Sequence, residues 1–108
     1  MNILFDGCVP RPLRKYLIGH NVKTAQENNW SELRNGDLLQ AAENQFDVFV
    51  TSDKNIRYQQ NLAGRRIAIT VLPTNHWPVL RLMTDRIAAT INQLKPGDFV
   101  EIKTDLRS

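Results

Sequence analysis

The chain has a single cysteine, Cys8, in 108 residues. It therefore makes no internal disulfide and no thiolate zinc cage, and a lone free thiol fits a reducing compartment. No apolar run approaches the roughly 20 residues that a membrane span requires. The opening residues, Met1 to Asp6, reach an acid too soon for a signal peptide. These absences predict a cytoplasmic protein with no membrane partner. Neither His20 nor His76 has a second histidine at a metal-ligand spacing, so both are read as surface residues outside any site. There is no glycine-rich phosphate loop, which disfavours nucleotide binding, and no repeat, linker or low-complexity tract.

What is present describes one domain over residues 1–108. A content of 42% hydrophobic and 23% charged residues supports a real core, and the length is too short for two domains. Fourteen Lys and Arg against 11 Asp and Glu leave a net charge of +3. That balance permits a nucleic-acid partner and is equally ordinary solubility chemistry.

Apolar runs alternate with helical patterns along the chain. Asn2 to Phe5 reads as a buried strand that stops at Asp6-Gly7. Pro10 and Pro12 suit the opening of a helix carrying Leu13 and Leu17, with Gly19 placed to end it. Asn21 to Ala25 makes a second strand, followed by a polar loop to Asn35 that Trp30 anchors on the core. Leu38, Leu39, Ala41 and Ala42 form the stripe of a helix beginning at Asp37 and ending near Gln45. Asp47 to Thr51 is a central strand, running straight into Ser52-Asp53. A short helix over Lys54 to Gln60 is broken by Gly64, and a fourth strand runs from Ile67 to Leu72, ended by Pro73. The longest helix is expected from about Pro78 to Leu94, ended by Pro96-Gly97, with Phe99 to Ile102 as an edge strand. Together these predict a three-layer α/β/α sandwich with a mostly parallel sheet of four to five strands and right-handed crossovers.

Asp6 and Asp53 each follow a strand, which places them at the carboxyl ends where doubly wound sheets bind ligands. If those strands are neighbours, the N-terminus of the Asp37 helix completes the crevice. Three carboxylates gathered there repel one another, and a hard divalent cation, Mg²⁺ or Mn²⁺, relieves that repulsion. Such an ion binds a phosphodiester, activates water and stabilises the leaving oxygen. Plainer roles compete: Asp37 as a first-turn acid, and Asp53 as a helix cap. Asp6 has no obvious helix to cap. Arg11, Arg14 and Lys15 follow Asp6 and can hold RNA phosphates. Lys54, Arg57, Arg65 and Arg66 form a second basic cluster, and a solvated face is the competing reading of both.

Ile3-Leu4-Phe5-Asp6-Gly7-Cys8-Val9-Pro10 resembles the opening of small bacterial PIN-like domains. In the same order, Gly19-His20-Asn21-Val22 resembles that group's turn into strand two, Gly36 to Ala42 its acid-headed helix, and Val50-Thr51-Ser52-Asp53-Lys54 its strand-three signature. The likeness covers about residues 1 to 60. It implies a PIN-like fold and a metal-dependent ribonuclease, often the toxin of a toxin-antitoxin pair. It further implies Asp6, Asp37 and Asp53 as catalytic metal ligands for Mg²⁺ or Mn²⁺, and RNA held by Arg11, Arg14, Lys15 and Lys54. A cognate antitoxin protein or a second copy of the chain is the implied protein partner. Two acids of the group's pattern are missing: Gly7-Cys8 stands where Glu-Asn is common, and Asn55 where a further acid is common. Fewer carboxylates weaken hard-cation binding, so an inactive module that binds RNA or a protein is the second expectation. A response-regulator-like or nucleotide-binding α/β domain is the third.

Overall fold

The computed structural model describes residues 1–33, 35–56 and 65–104. Five strands, β1 (Asn2–Phe5), β2 (Asn21–Thr24), β3 (Val48–Thr51), β4 (Ala68–Val71) and β5 (Phe99–Glu101), form one sheet in the order β2-β1-β3-β4-β5. Every neighbouring pair is parallel. The expected α/β architecture is therefore present, with β5 at an edge as the sequence suggested.

All residues of the central three strands except Asn2 are buried. Ile3, Phe5, Val48, Val50 and Ala68 face one apolar layer, while Leu4, Phe49, Ile69 and Val71 face the other. A strand covered on both faces reads as a continuous apolar run, which is why β1 and β3 were visible in the sequence. On the first face lie a 3-10 helix (Arg11–Tyr16), α2 (Trp77–Leu80) and α3 (Thr84–Asn92), contributing Leu13, Leu80, Met83, Ile87 and Ile91. On the second lie α1 (Asn35–Ala42), contributing Leu38, Leu39 and Ala42, and the turn that carries Ile56. Trp30 does anchor its loop there, packed edge-on against Phe46 with ring centroids 6.0 Å apart.

Several boundaries differ from expectation. The first helix is 3-10 rather than α, held by Leu13 N–H to Pro10 O and Leu17 N–H to Arg14 O bonds. Gly19, at φ +86°, ends that segment. Helix α1 starts at Asn35, two residues before Asp37, because Gly36 takes the helical conformation after all. The long helix is two: its ladder tightens at Leu82 and Met83, whose N–H groups reach Val79 O and Leu80 O, and resumes at Ile87 N–H to Met83 O. The tight turn keeps Leu80 and Met83 in the core and leaves Leu82 68% exposed. The helix expected from Lys54 shows a turn to Ile56; Arg57 to Gln60 and Gly64 lie outside the described residues.

The crossovers also depart from expectation. From β1 to β2 the chain moves one way across the sheet on the first face, and from β2 to β3 it moves the other way on the second face. These two connections share one hand. The β4 to β5 connection moves that second way but carries α2 and α3 on the first face, so its hand is opposite. The four crossovers are therefore not all right-handed, against the usual strong preference. One consequence is that the 3-10 helix and the α2–α3 pair share a layer.

Candidate active site

Parallel order β2-β1-β3 reverses the chain's direction of travel between β1 and β3, and that is where such sheets open a crevice at their carboxyl ends. Phe5 of β1 pairs with Val50 of β3, so the residues that follow, Asp6 and Thr51 to Asp53, emerge side by side. Asp6 N–H donates to Val50 O at 2.9 Å, extending the pairing by one residue and fixing the direction of its side chain.

The Asp6 carboxylate is half-buried and held by neutral donors. Gly7 N–H donates to Oδ1 at 2.8 Å, Thr51 Oγ1 donates to Oδ2 at 2.8 Å, and the Cys8 thiol donates to Oδ2 at 3.6 Å. Thr51 Oγ1 in turn accepts Asp53 N–H at 3.0 Å, so one buried hydroxyl links the two acidic positions. The Asp53 carboxylate accepts Asn55 N–H at 3.0 Å, closing the turn after β3. Ser52 Oγ donates to Cys8 Sγ at 3.0 Å. Thr51, Ser52 and Cys8 are the site residues the sequence reading passed over. The visible signal was the Thr-Ser pair that separates the apolar β3 run from its terminal acid.

Asp37 is different. It lies exposed in the first turn of α1, where an acid is favoured by the helix dipole. Helix α1 follows β2, so Asp37 belongs to the same edge of the sheet, but among the described residues no hydrogen bond or ion pair ties it to Asp6 or Asp53. No group of three or more His, Cys, Asp or Glu among the described residues stands close enough to share a metal ion. Asp6 and Asp53 thus meet on the Thr51 hydroxyl, Asp6 through its carboxylate and Asp53 through its backbone N–H.

Gly7 is exposed, and a Cβ at that position would meet nothing within 4 Å.

The basic residues divide. Arg14 donates to both carboxylate oxygens of Glu27, at 2.9 and 3.0 Å, and Arg11 donates to Gln26 Oε1. Glu27 is fixed by a reciprocal pair of bonds, Thr24 N–H to its Oε1 and its own N–H to Thr24 Oγ1. The Thr24 backbone bond and then the Arg14 guanidinium hold the Glu27 carboxyl below its ordinary value. Arg11 and Arg14 thus tie the 3-10 helix to the end of β2. Lys15 and Lys54 are exposed and make no ion pair among the described residues, and Arg57 of the second basic cluster lies outside them. His20 bonds Asn92 Oδ1 through Nε2 at 2.5 Å, a structural clip far from the acids.

A cavity of about 500 Å³ opens at the opposite, amino edge of the sheet, lined in part by Glu43, Asp47, Arg66 and Lys95. It contains none of the expected site residues. No helix among the described residues is long and apolar enough to cross a membrane. No family model, curated protein or solved structure matches the chain.

Proposed function

We propose that this chain is a PIN-like, metal-dependent endoribonuclease acting in the cytoplasm, with Asp6 and Asp53 as the metal-binding carboxylates. The observation that carries the reading is that the Asp6 carboxylate and the Asp53 backbone N–H both bond the Thr51 hydroxyl at the carboxyl ends of adjacent parallel strands. Thr51 and Gly7 orient Asp6, and the space around position 7 is open. A bound Mg²⁺ or Mn²⁺ supplies Lewis acidity and an activated water. Mg²⁺ is commonly held by one or two carboxylates together with substrate phosphates, so a two-acid site is consistent with binding that tightens when RNA arrives. Asp37, on the same edge, belongs to the outer rim of this site. The resemblance in residues 1 to 60 adds the role of toxin, with an antitoxin protein or a second copy of the chain as partner.

One observation favours a second reading, a non-cleaving module that binds RNA or protein: no trio of acids is assembled among the described residues. Cleavage of single-stranded RNA by the purified chain with Mg²⁺ or Mn²⁺ decides between them. Cutting that is lost in EDTA and in Asp6→Asn supports the nuclease. RNA binding without cutting, unchanged by EDTA, supports the module.

A further inference from the structure

The opposite-handed β4 to β5 crossover sets α2 beside the 3-10 helix, and Tyr16 meets Trp77 there with ring centroids 6.0 Å apart and planes tilted by 43°. The tilt leaves the rings incompletely covered by each other. Trp77 packs part of its surface on the core, whereas Tyr16 is 46% exposed. An exposed aromatic fixed at one side by a half-buried one is a rigid shelf rather than a loose surface residue.

The surroundings are cationic. Arg81 sits one helical turn beyond Trp77, its N–H bonded to Trp77 O at 2.9 Å, so the two side chains lie on one side of the chain. Lys15 adjoins Tyr16. Both cations are exposed and form no ion pair among the described residues, unlike Arg14, which Glu27 neutralises. Asn75 and His76, which lead into α2, are exposed and add no acid. The pair lies on the first face of the sheet, where the last residue of the 3-10 helix meets the first residue of α2.

We infer that the Tyr16–Trp77 pair, with Lys15 and Arg81 beside it, is a base-stacking subsite for single-stranded RNA. A partly exposed aromatic face takes any base, and free cations next to it take the flanking phosphates, the combination by which single strands are bound without sequence readout. This rests on RNA being the substrate, but it concerns binding and not cleavage.

The test is therefore run in EDTA, where no cutting occurs. Binding of a fluorescein-labelled uridine octamer is compared with that of an octamer of equal charge carrying abasic spacers. Wild-type protein is set against Tyr16→Ala, Trp77→Phe and Arg81→Gln, each checked for an unchanged melting temperature. Tyr16→Ala is expected to bind the uridine octamer roughly tenfold more weakly, with the abasic octamer and the salt slope unaffected. Trp77→Phe retains binding but removes the base-dependent fluorescence quenching, and Arg81→Gln lowers the salt slope by about one. A wild-type chain that binds both octamers equally overturns the proposal. So does a Tyr16→Ala protein that binds RNA normally while losing a protein partner, which would make this face, with Ile18 86% exposed, a protein-docking surface. Absence of RNA cleavage in Mg²⁺ defeats the nuclease reading and leaves these outcomes untouched.

Discussion

The two edges of the sheet use acidic residues in opposite ways. At the amino edge, Asp47 accepts Asn2 N–H at 2.8 Å through its side chain, while its own N–H donates to Asn2 O at 2.7 Å. Glu43 accepts Arg66 N–H at 3.2 Å and faces the Arg65 guanidinium at 3.9 Å. Those carboxylates clamp the start of β1 to β3 and the turn before β4. At the carboxyl edge, Asp6 is held only by neutral donors and forms no ion pair among the described residues. The amino edge has a cavity of about 500 Å³, and the carboxyl edge has an oriented Asp6 carboxylate with no ion pair among the described residues. Volume alone is a poor guide to a site: a carboxylate already bound to its own fold has little left for a ligand, whereas an oriented one without a cation retains its charge.

That contrast can be broken or sharpened. The largest effect should come from removing what both edges share. Phe49 is fully buried at the centre of β3, and Phe49→Ala should cost about 3–5 kcal/mol in urea denaturation, loosening both edges at once. Asp6→Asn should abolish metal-dependent RNA cleavage, a fall of about a hundredfold or more, with the urea midpoint nearly unchanged. A large stability loss instead would make Asp6 a structural residue like Asp47. Asp47→Ala should show the converse, roughly 0.5–1 kcal/mol of stability lost as the exposed Asn2 N–H passes to water, with cleavage unaltered. Gly7→Glu places a third carboxylate in open space beside Asp6. It should tighten Mn²⁺ binding severalfold by calorimetry, and unchanged affinity would show that position 7 does not face the cation.

The smallest effect concerns pH. Because the fold lowers the Glu27 pKa from its ordinary 4.5, its contribution is present above that value and is lost as pH falls through the lower folded value. The carboxylate is solvent-exposed, so the change is slight. Glu27→Gln should flatten the acid limb of the melting-temperature profile below pH 4.5 and leave the neutral plateau nearly where it was.

Much of the fold was legible because period and punctuation were strong. The apolar runs of β1 and β3 end in Asp-Gly and Ser-Asp, and a strand buried on both faces has no other way to be written. The turn chemistry of Gly19 and Pro73 was equally local. The 3-10 helix was less legible, since its apolar spacing of Leu13 and Leu17 matches an α-helix. The break at Arg81 to Met83 left no mark at all. The stripe Leu80, Met83, Ile87 and Ile91 continues through it, because a tightened turn preserves which residues point inward.

By itself the sequence determined the strands, the layer that each apolar residue belongs to through its parity, and the acids that follow β1 and β3. Those are properties of neighbours along the chain. Strand order, the hand of the last crossover, the Thr51 hydroxyl shared by Asp6 and Asp53, the neutralisation of Arg14 and the meeting of Tyr16 with Trp77 were decided only in three dimensions. Each depends on which segments pack together across tens of residues, and the long-range burial that selects that packing has no local signature.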